Sequence, residues 1–482
     1  MTNRNVQTAP TKKQQAIRKE KSSRSYSQTL MSSTPVLLTA FAFTVMADPI
    51  SSVAYAIEAA LRALDGNLAL LWPTMALVIA IIAVITINYH QLIGRFPEGG
   101  GAAAAAGTAL GEGWAFLPIG ALVVDFVLTI SISIAASVSA IVAYFPFLAG
   151  IRILLALGLL LLVAGLTWFG HGGRTVFALM TLAFVGIGVA LIATGFLHAS
   201  HGSSLLQTTP SALNGFSSSI VAITFAFPVA MALATGVEAP SSAIAQLGQL
   251  DQQGRKRFGR ITLWLTLVIV GGLTLSITAL AVRLGIGIPS NNSTQIAEVA
   301  RASGSPGLFA AFQLTTTLLL LSAASSSFQA GPGLLKALAR KSRKGEATIG
   351  ILPVWMGRTN QHHTPYWGLG LYTLISALVV IAADAQDQKL VLFYAVSVFL
   401  SFLIGLLAMA RLSHGKPWLL AINLLGAAVV GFTLVMNLVR GLPIISLGAA
   451  LLIAGGLYIL WIRAGRPRGI SSAVQHTEEI DE

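Results

Sequence analysis

Apolar runs long enough to cross a bilayer as helices, which takes roughly 20 mostly apolar residues, recur twelve times along this chain. They lie near 35–64, 69–91, 114–146, 151–169, 174–197, 217–250, 260–286, 308–337, 366–385, 390–412, 417–438 and 443–463. The pattern predicts an all-α membrane protein with twelve transmembrane helices. The first and sixth runs are overlong and interrupted by polar residues, which singles them out from the other ten.

Composition agrees with the pattern. Of 482 residues, 55% are hydrophobic and 10% charged, with a mean hydropathy of +0.78, too little polar surface to cover a soluble globule. The net charge of +13 could point to nucleic acid, but its distribution excludes that. With the N-terminus placed in the cytoplasm, 24 Lys and Arg fall on interior segments. Only Arg62, Arg152, Arg283, Arg301, Lys389 and Arg440 fall outside. This asymmetry predicts that both termini are cytoplasmic and that the chain sits in the inner (cell) membrane. The loop 197–217 carries no Lys or Arg, as an exterior loop should. The basic tail 1–33 and the long basic loop 336–366 are expected to lie against anionic lipid. No cysteine is present, so disulfides and thiolate metal sites are excluded.

Polar chemistry concentrates at two interruptions. In the first run, Leu37–Met46 meets Asp48-Pro49 and then resumes as Ile50–Leu64. Proline removes a helix donor, and a charge at the centre of a spanning helix costs about 2.5–3.5 kcal/mol on insertion scales. In the sixth run, Thr235-Gly236-Val237-Glu238-Ala239-Pro240 again frees backbone groups at membrane depth, where protein or a bound ion must satisfy them. If runs 1–5 and 6–10 are inverted repeats, the two breaks occupy corresponding positions, the usual place for a transporter's site. Asp125, Thr129 and Ser133 stand at i, i+4 and i+8 on one face of the third run. Asp48, Ser51, Ser52 and Tyr55 share a face of the first. Such oxygen-rich walls suit a hard cation that sheds its water. Glu58 lies toward the outer mouth.

These segments, together with Tyr89-His90-Gln91, Pro97-Glu98-Gly99-Gly100-Gly101, Val124-Asp125-Phe126-Val127-Leu128-Thr129 and Phe393-Tyr394-Ala395-Val396-Ser397, resemble the KimA-type potassium importers of the amino acid–polyamine–organocation (APC) superfamily. The resemblance covers all twelve runs and implies a LeuT-like fold with a 5+5 inverted repeat and broken helices 1 and 6. It further implies that Asp48, Tyr55, Thr129, Ser133, Thr235 and Tyr394 line a potassium site, and that Asp48, Asp125 and Glu238 titrate in proton coupling. Tyr394 has no support apart from the resemblance, since a lone aromatic in a span is ordinarily a packing residue.

The expected organisation is a cytoplasmic tail over 1–33, a transporter domain over 34–463 and a second tail over 464–482. Within the transporter domain the repeats fall near 34–198 and 217–412, with two extra helices over 417–463. Known members continue into a sizeable cytoplasmic domain, whereas about twenty residues follow the last run here, so the homodimer that the resemblance suggests lacks that support. No cofactor is expected; the partners are potassium, protons and membrane lipid. Two rivals remain within the fold. One is a proton-coupled amino acid permease, against which Asp48-Pro49 sets a negative charge where a substrate carboxylate would sit. The other is a sodium-coupled carrier using Ser325 and Ser326, residues that equally serve helix packing. A non-transporting sensor would not need the carboxylate and hydroxyl set. Gly99-Gly100-Gly101 and Gly170-His171-Gly172-Gly173 lack the strand-turn-helix context of a phosphate loop. His171, His198, His201, His362 and His363 fall in loops without metal-ligand spacing.

Overall fold

The computed structural model describes residues 34–170, 174–198, 216–339, 350–441 and 443–469. The tails 1–33 and 470–482, most of the loop 197–217, the centre of the basic loop 336–366, His171 and His201 lie outside the described residues. In chain order the helices are α1 (Thr34–Val45), α2 (Ala47–Ser51), α3 (Val53–Ala63), α4 (Leu68–Arg95), α5 (Gly101–Leu110), α6 (Phe116–Tyr144), α7 (Arg152–Trp168), α8 (Arg174–His198) and α9 (Phe216–Ala230). They continue as α10 (Ala239–Ala243), α11 (Gln252–Arg283), α12 (Gln295–Ser303), α13 (Pro306–Ala339), α14 (Tyr366–Ala382), α15 (Asp387–Leu412), α16 (Pro417–Val439) and α17 (Ile444–Arg463).

Among the described residues, ten helices are long and apolar enough to cross a membrane. The first and ninth predicted runs are the two that fall short. The first is divided into α1, α2 and α3, and the ninth, α14, has 17 residues. Helix starts follow from capping. Asn67 accepts from the Ala69 amide ahead of α4, Asp251 accepts from Gly254 ahead of α11, and Thr294 accepts from Ala297 ahead of α12.

The third span is the centre of the bundle. Of its most apolar stretch 89% is buried, against 22% for the span containing α7, so α6 is surrounded by protein while α7 turns Leu154 and Leu161 outward. Helix α6 packs against α13, α15, α17 and α14. Close approach depends on small residues: a Cβ on Gly120 would come within 2.6 Å of the Ala450 carbonyl of α17. The Gly/Ala-rich segment after α4 forms α5, buried over Gly101–Ala106 and packed against α15.

Candidate functional site

The two interruptions meet, but they are built differently. In the sixth run α9 tightens into a 3-10 turn over Met231–Ala234, Thr235 is extended (φ −63°, ψ 142°), and Gly236 takes φ +77°. A Cβ on Gly236 would lie 2.8 Å from both N and Cδ of Pro49, and 3.1 Å from Cγ of Asp48. The backbone of one break therefore rests on the other, and only glycine fits there. Ser52 ties them further, its hydroxyl donating to the carbonyls of Pro49 (2.6 Å) and Leu233 (3.2 Å).

The first run is opened less than its Asp-Pro pair predicts. Met46 and Ser52, which separate the three helical pieces, keep right-handed helical dihedrals, and Ile50 still donates to the Met46 carbonyl. Pro49 falls within the first turn of α2, where a missing donor is tolerated. The serine face also differs from expectation. Ser51 donates to the Asp48 carbonyl at 2.6 Å and Ser52 to the carbonyls of Pro49 and Leu233, so both hydroxyl protons are spent on backbone carbonyls.

Three carboxyls converge beside this junction. Asp125 is 3% exposed and Glu238 9%, and Asp125 lies within electrostatic reach of both Glu238 and Asp48. One oxygen of each of the three is buried with no hydrogen-bond partner among the described residues, as are Oγ of Ser133 and the hydroxyls of Tyr89 and Tyr372. Among the described residues no Lys or Arg forms an ion pair with any of these carboxyls. Orphaned buried oxygens are costly in a fold that has no use for them. Tyr55, Thr129 and Thr235 are each 1% exposed, and the Thr235 hydroxyl donates to Ala232 at 2.8 Å. Tyr394 sits on α15, its side chain outside the described residues.

Tyr89 and Tyr372 were not legible as site residues. Tyr89 lies within electrostatic reach of Glu238 and Asp125 and is braced edge-on by Phe402 at 5.8 Å. Tyr372 lies within electrostatic reach of Asp125, and its ring occupies a slot left by Gly331, where a Cβ would come within 2.6 Å of it. Ser325 and Ser326 lie on α13, which packs against both α2 and α6. Ser326 donates to its own helix at Ala323, and Gln329 reaches Ser325 at 3.5 Å.

Charged networks stand toward both ends of the bundle. Toward the predicted outside, Glu58 accepts from Arg62 (2.8 Å) and from the Gln295 amide (2.9 Å). Nearby, Arg152 donates to Ser139, which donates to Asp387 at 2.6 Å. At the other end Glu98 pairs with Arg255 at 2.6 Å, whose guanidinium also donates to the carbonyls of Leu247 and Leu250. Gly99, Gly100 and Gly101 all have positive φ, which carries the chain under the second half of the sixth run. A Cβ on Gly99 would meet Ala245 at 3.0 Å and the Ser242 carbonyl at 3.2 Å. The glycine run is thus a close-approach device. Because the chain lacks cysteine, Ser241→Cys places a single, fully buried thiol behind this contact. Glu98→Gln in that background is expected to raise its labelling rate about two- to fivefold, the effect of losing a partly exposed pair of about 0.5–1 kcal/mol. An unchanged rate would show that the pair holds nothing shut.

A bundle of apolar helices around a buried, oxygen-lined junction of two broken segments defines an integral, multi-pass membrane transporter. The family model described as Amino acid permease matches residues 34–462, and the chain belongs to that family, within the APC superfamily. Over 398 residues it is 28% identical to the potassium transporter KimA of Bacillus subtilis, covering 79% of this chain and 63% of that protein. The chain thus spans less than two thirds of the length of this curated relative. Crystal structures of mutants of the Eremococcus coleocola manganese transporter share the fold at a TM-score of 0.51 and 13–14% identity, covering 90% of this chain and 96% of theirs.

Proposed function

We propose that this chain imports potassium by proton symport through alternating access, in the inner membrane with both termini cytoplasmic, on twelve spans arranged as a 5+5 inverted repeat. The observation that carries this reading is the meeting of the two breaks beside three carboxyls that no basic side chain among the described residues neutralises. A desolvated monovalent cation needs compensating charge and oxygens in place of its water. Asp48 supplies the charge. Tyr55, Thr129, Ser133, Thr235 and Tyr394 supply oxygens, and Tyr89 and Tyr372 add two more phenols. The similarity to a potassium transporter supports this cation over others.

Glu238 and Asp125 carry the proton in this reading. A carboxyl that is neutral crosses a low-dielectric region at far lower cost than a charged one, so loading a proton on one side and releasing it on the other gives the bundle a direction. The test is uptake of rubidium into proteoliposomes under an inward proton gradient. Glu238→Gln is expected to abolish the dependence on the gradient, with uptake flat across pH. Unchanged proton dependence would remove Glu238 from the coupling role. The contact of α13 with α2 favours a second reading, sodium coupling through Ser325 and Ser326; replacing sodium by choline in the same assay decides between them. Uptake of amino acids without rubidium would replace both readings with that of an amino acid permease.

A further inference from the structure

The end of α17 folds back over the start of the third span and builds a cavity whose lining shares no residue with the junction of the two breaks. Ala464 closes the helix, Gly465 (φ +83°) and Arg466 (φ +56°) reverse the chain, and the Arg466 amide donates back to the Trp461 carbonyl at 3.0 Å. The Trp461 indole donates to the Pro467 carbonyl at 2.9 Å, which locks the ring. The Gly469 amide donates to Glu112 at 3.1 Å, tying this end to the turn before α6. Between the two lies a cavity of about 490 Å³ lined by Trp114, Leu117, Tyr458, Trp461, Glu112 and Arg466.

The floor of the cavity is aromatic, and its lining carries one guanidinium, Arg466, and one carboxylate, Glu112, the latter accepting from the Gly469 amide. Phe116, Tyr458 and Trp461 form a ring cluster with centroids 5.7 to 6.2 Å apart. Gly113 lets the preceding turn rest on it, since a Cβ there would stand 2.9 Å from the Tyr458 ring. Trp114 is 51% exposed, and the Arg466 guanidinium stands 6.0 Å over Trp461. Among the described residues Arg463, Arg466 and Arg468 enter no ion pair, and all three are exposed.

We propose that this cavity binds an anionic glycerophospholipid, with its phosphodiester on Arg466 and its glycerol backbone and upper acyl chain along Trp114, Leu117 and Trp461. Tryptophan and tyrosine at the ends of spanning helices sit at headgroup level, and basic pockets between such helices hold anionic headgroups. A guanidinium matches a phosphodiester with two parallel donors. The bound lipid braces α17 against α6, the helix that carries Asp125 to the site.

The experiment is native mass spectrometry of the full chain in detergent, titrated with phosphatidylglycerol or phosphatidylcholine. One phosphatidylglycerol is expected to be retained in preference to phosphatidylcholine. Retention is expected to fall about tenfold in Arg466→Ala, the loss of a charge-assisted contact, and less in Arg466→Lys, which keeps the charge without the fork. Trp114→Ala is expected to weaken retention as well, and Lys416→Ala, on a different turn, to leave it unchanged. Equal retention of the two lipids, or wild-type retention in Arg466→Ala, would overturn the proposal. Displacement of the lipid by millimolar inorganic phosphate would also overturn it, because the phosphate alone would then account for binding.

Discussion

Asp48→Asn is expected to raise the KM for rubidium uptake by about 30-fold to a few thousand-fold, the effect of removing one partner of a desolvated charge pair worth about 2–5 kcal/mol. Asparagine keeps the side-chain volume and one oxygen, so the junction with Gly236 can still form and the loss isolates charge from shape. Asp48 lies against the sixth-run backbone and within reach of Asp125, yet neither neighbour brings positive charge. The neutral side chain should therefore fold at least as well as the native one, and thermal stability of the purified variant is expected to be unchanged or higher. A KM within threefold of wild type would sink the assignment of Asp48 as the counter-charge.

Gly236→Ala is expected to abolish uptake and destabilise the protein together. At φ +77° an L-residue is strained by about 1–3 kcal/mol, and the added methyl would stand 2.8 Å from Pro49 atoms belonging to the backbone ring, which cannot rotate aside. The two breaks must separate by a few tenths of an ångström or more, and sub-ångström misplacement is enough to disable a preorganised site. Uptake at saturating rubidium, with the fraction surviving a heat step by size exclusion, reads both effects. Wild-type values in both would mean that the breaks are not in contact.

Much of the membrane architecture was legible because lipid imposes a simple rule: a segment without water must satisfy its backbone internally and show apolar side chains. The two breaks were legible for the same reason, since Asp48-Pro49 and the Gly236–Pro240 stretch violate that rule inside otherwise apolar runs. How far each break opens was not. A proline early in a helical segment and a glycine at positive φ look alike in one dimension, but the first leaves the helix nearly intact while the second turns the chain.

The site's remaining parts show where one-dimensional reading stops. The i, i+4, i+8 face of Asp125, Thr129 and Ser133 follows from helix geometry alone. The serines of the first run share a face by the same rule, yet their hydroxyls turn to backbone carbonyls, a choice between partners of similar energy. Tyr372 carries no signal and Tyr89 only its place in the Tyr89-His90-Gln91 segment, because a buried tyrosine packed in a core and one near a carboxylate are written with the same letter. Gly331, which makes room for Tyr372, reads as one small residue among many.

By itself, then, the amino-acid order determined that this chain is a multi-pass membrane protein and that carboxylates stand at two weak points, since each is a local consequence of what a bilayer tolerates. Only the tertiary structure decided that those points touch, that Asp125 joins them, that Tyr89 and Tyr372 come within electrostatic reach of the cluster, and that Glu98 meets Arg255 across 157 positions. Contacts between distant segments depend on how whole helices pack, and no short window of sequence carries that information.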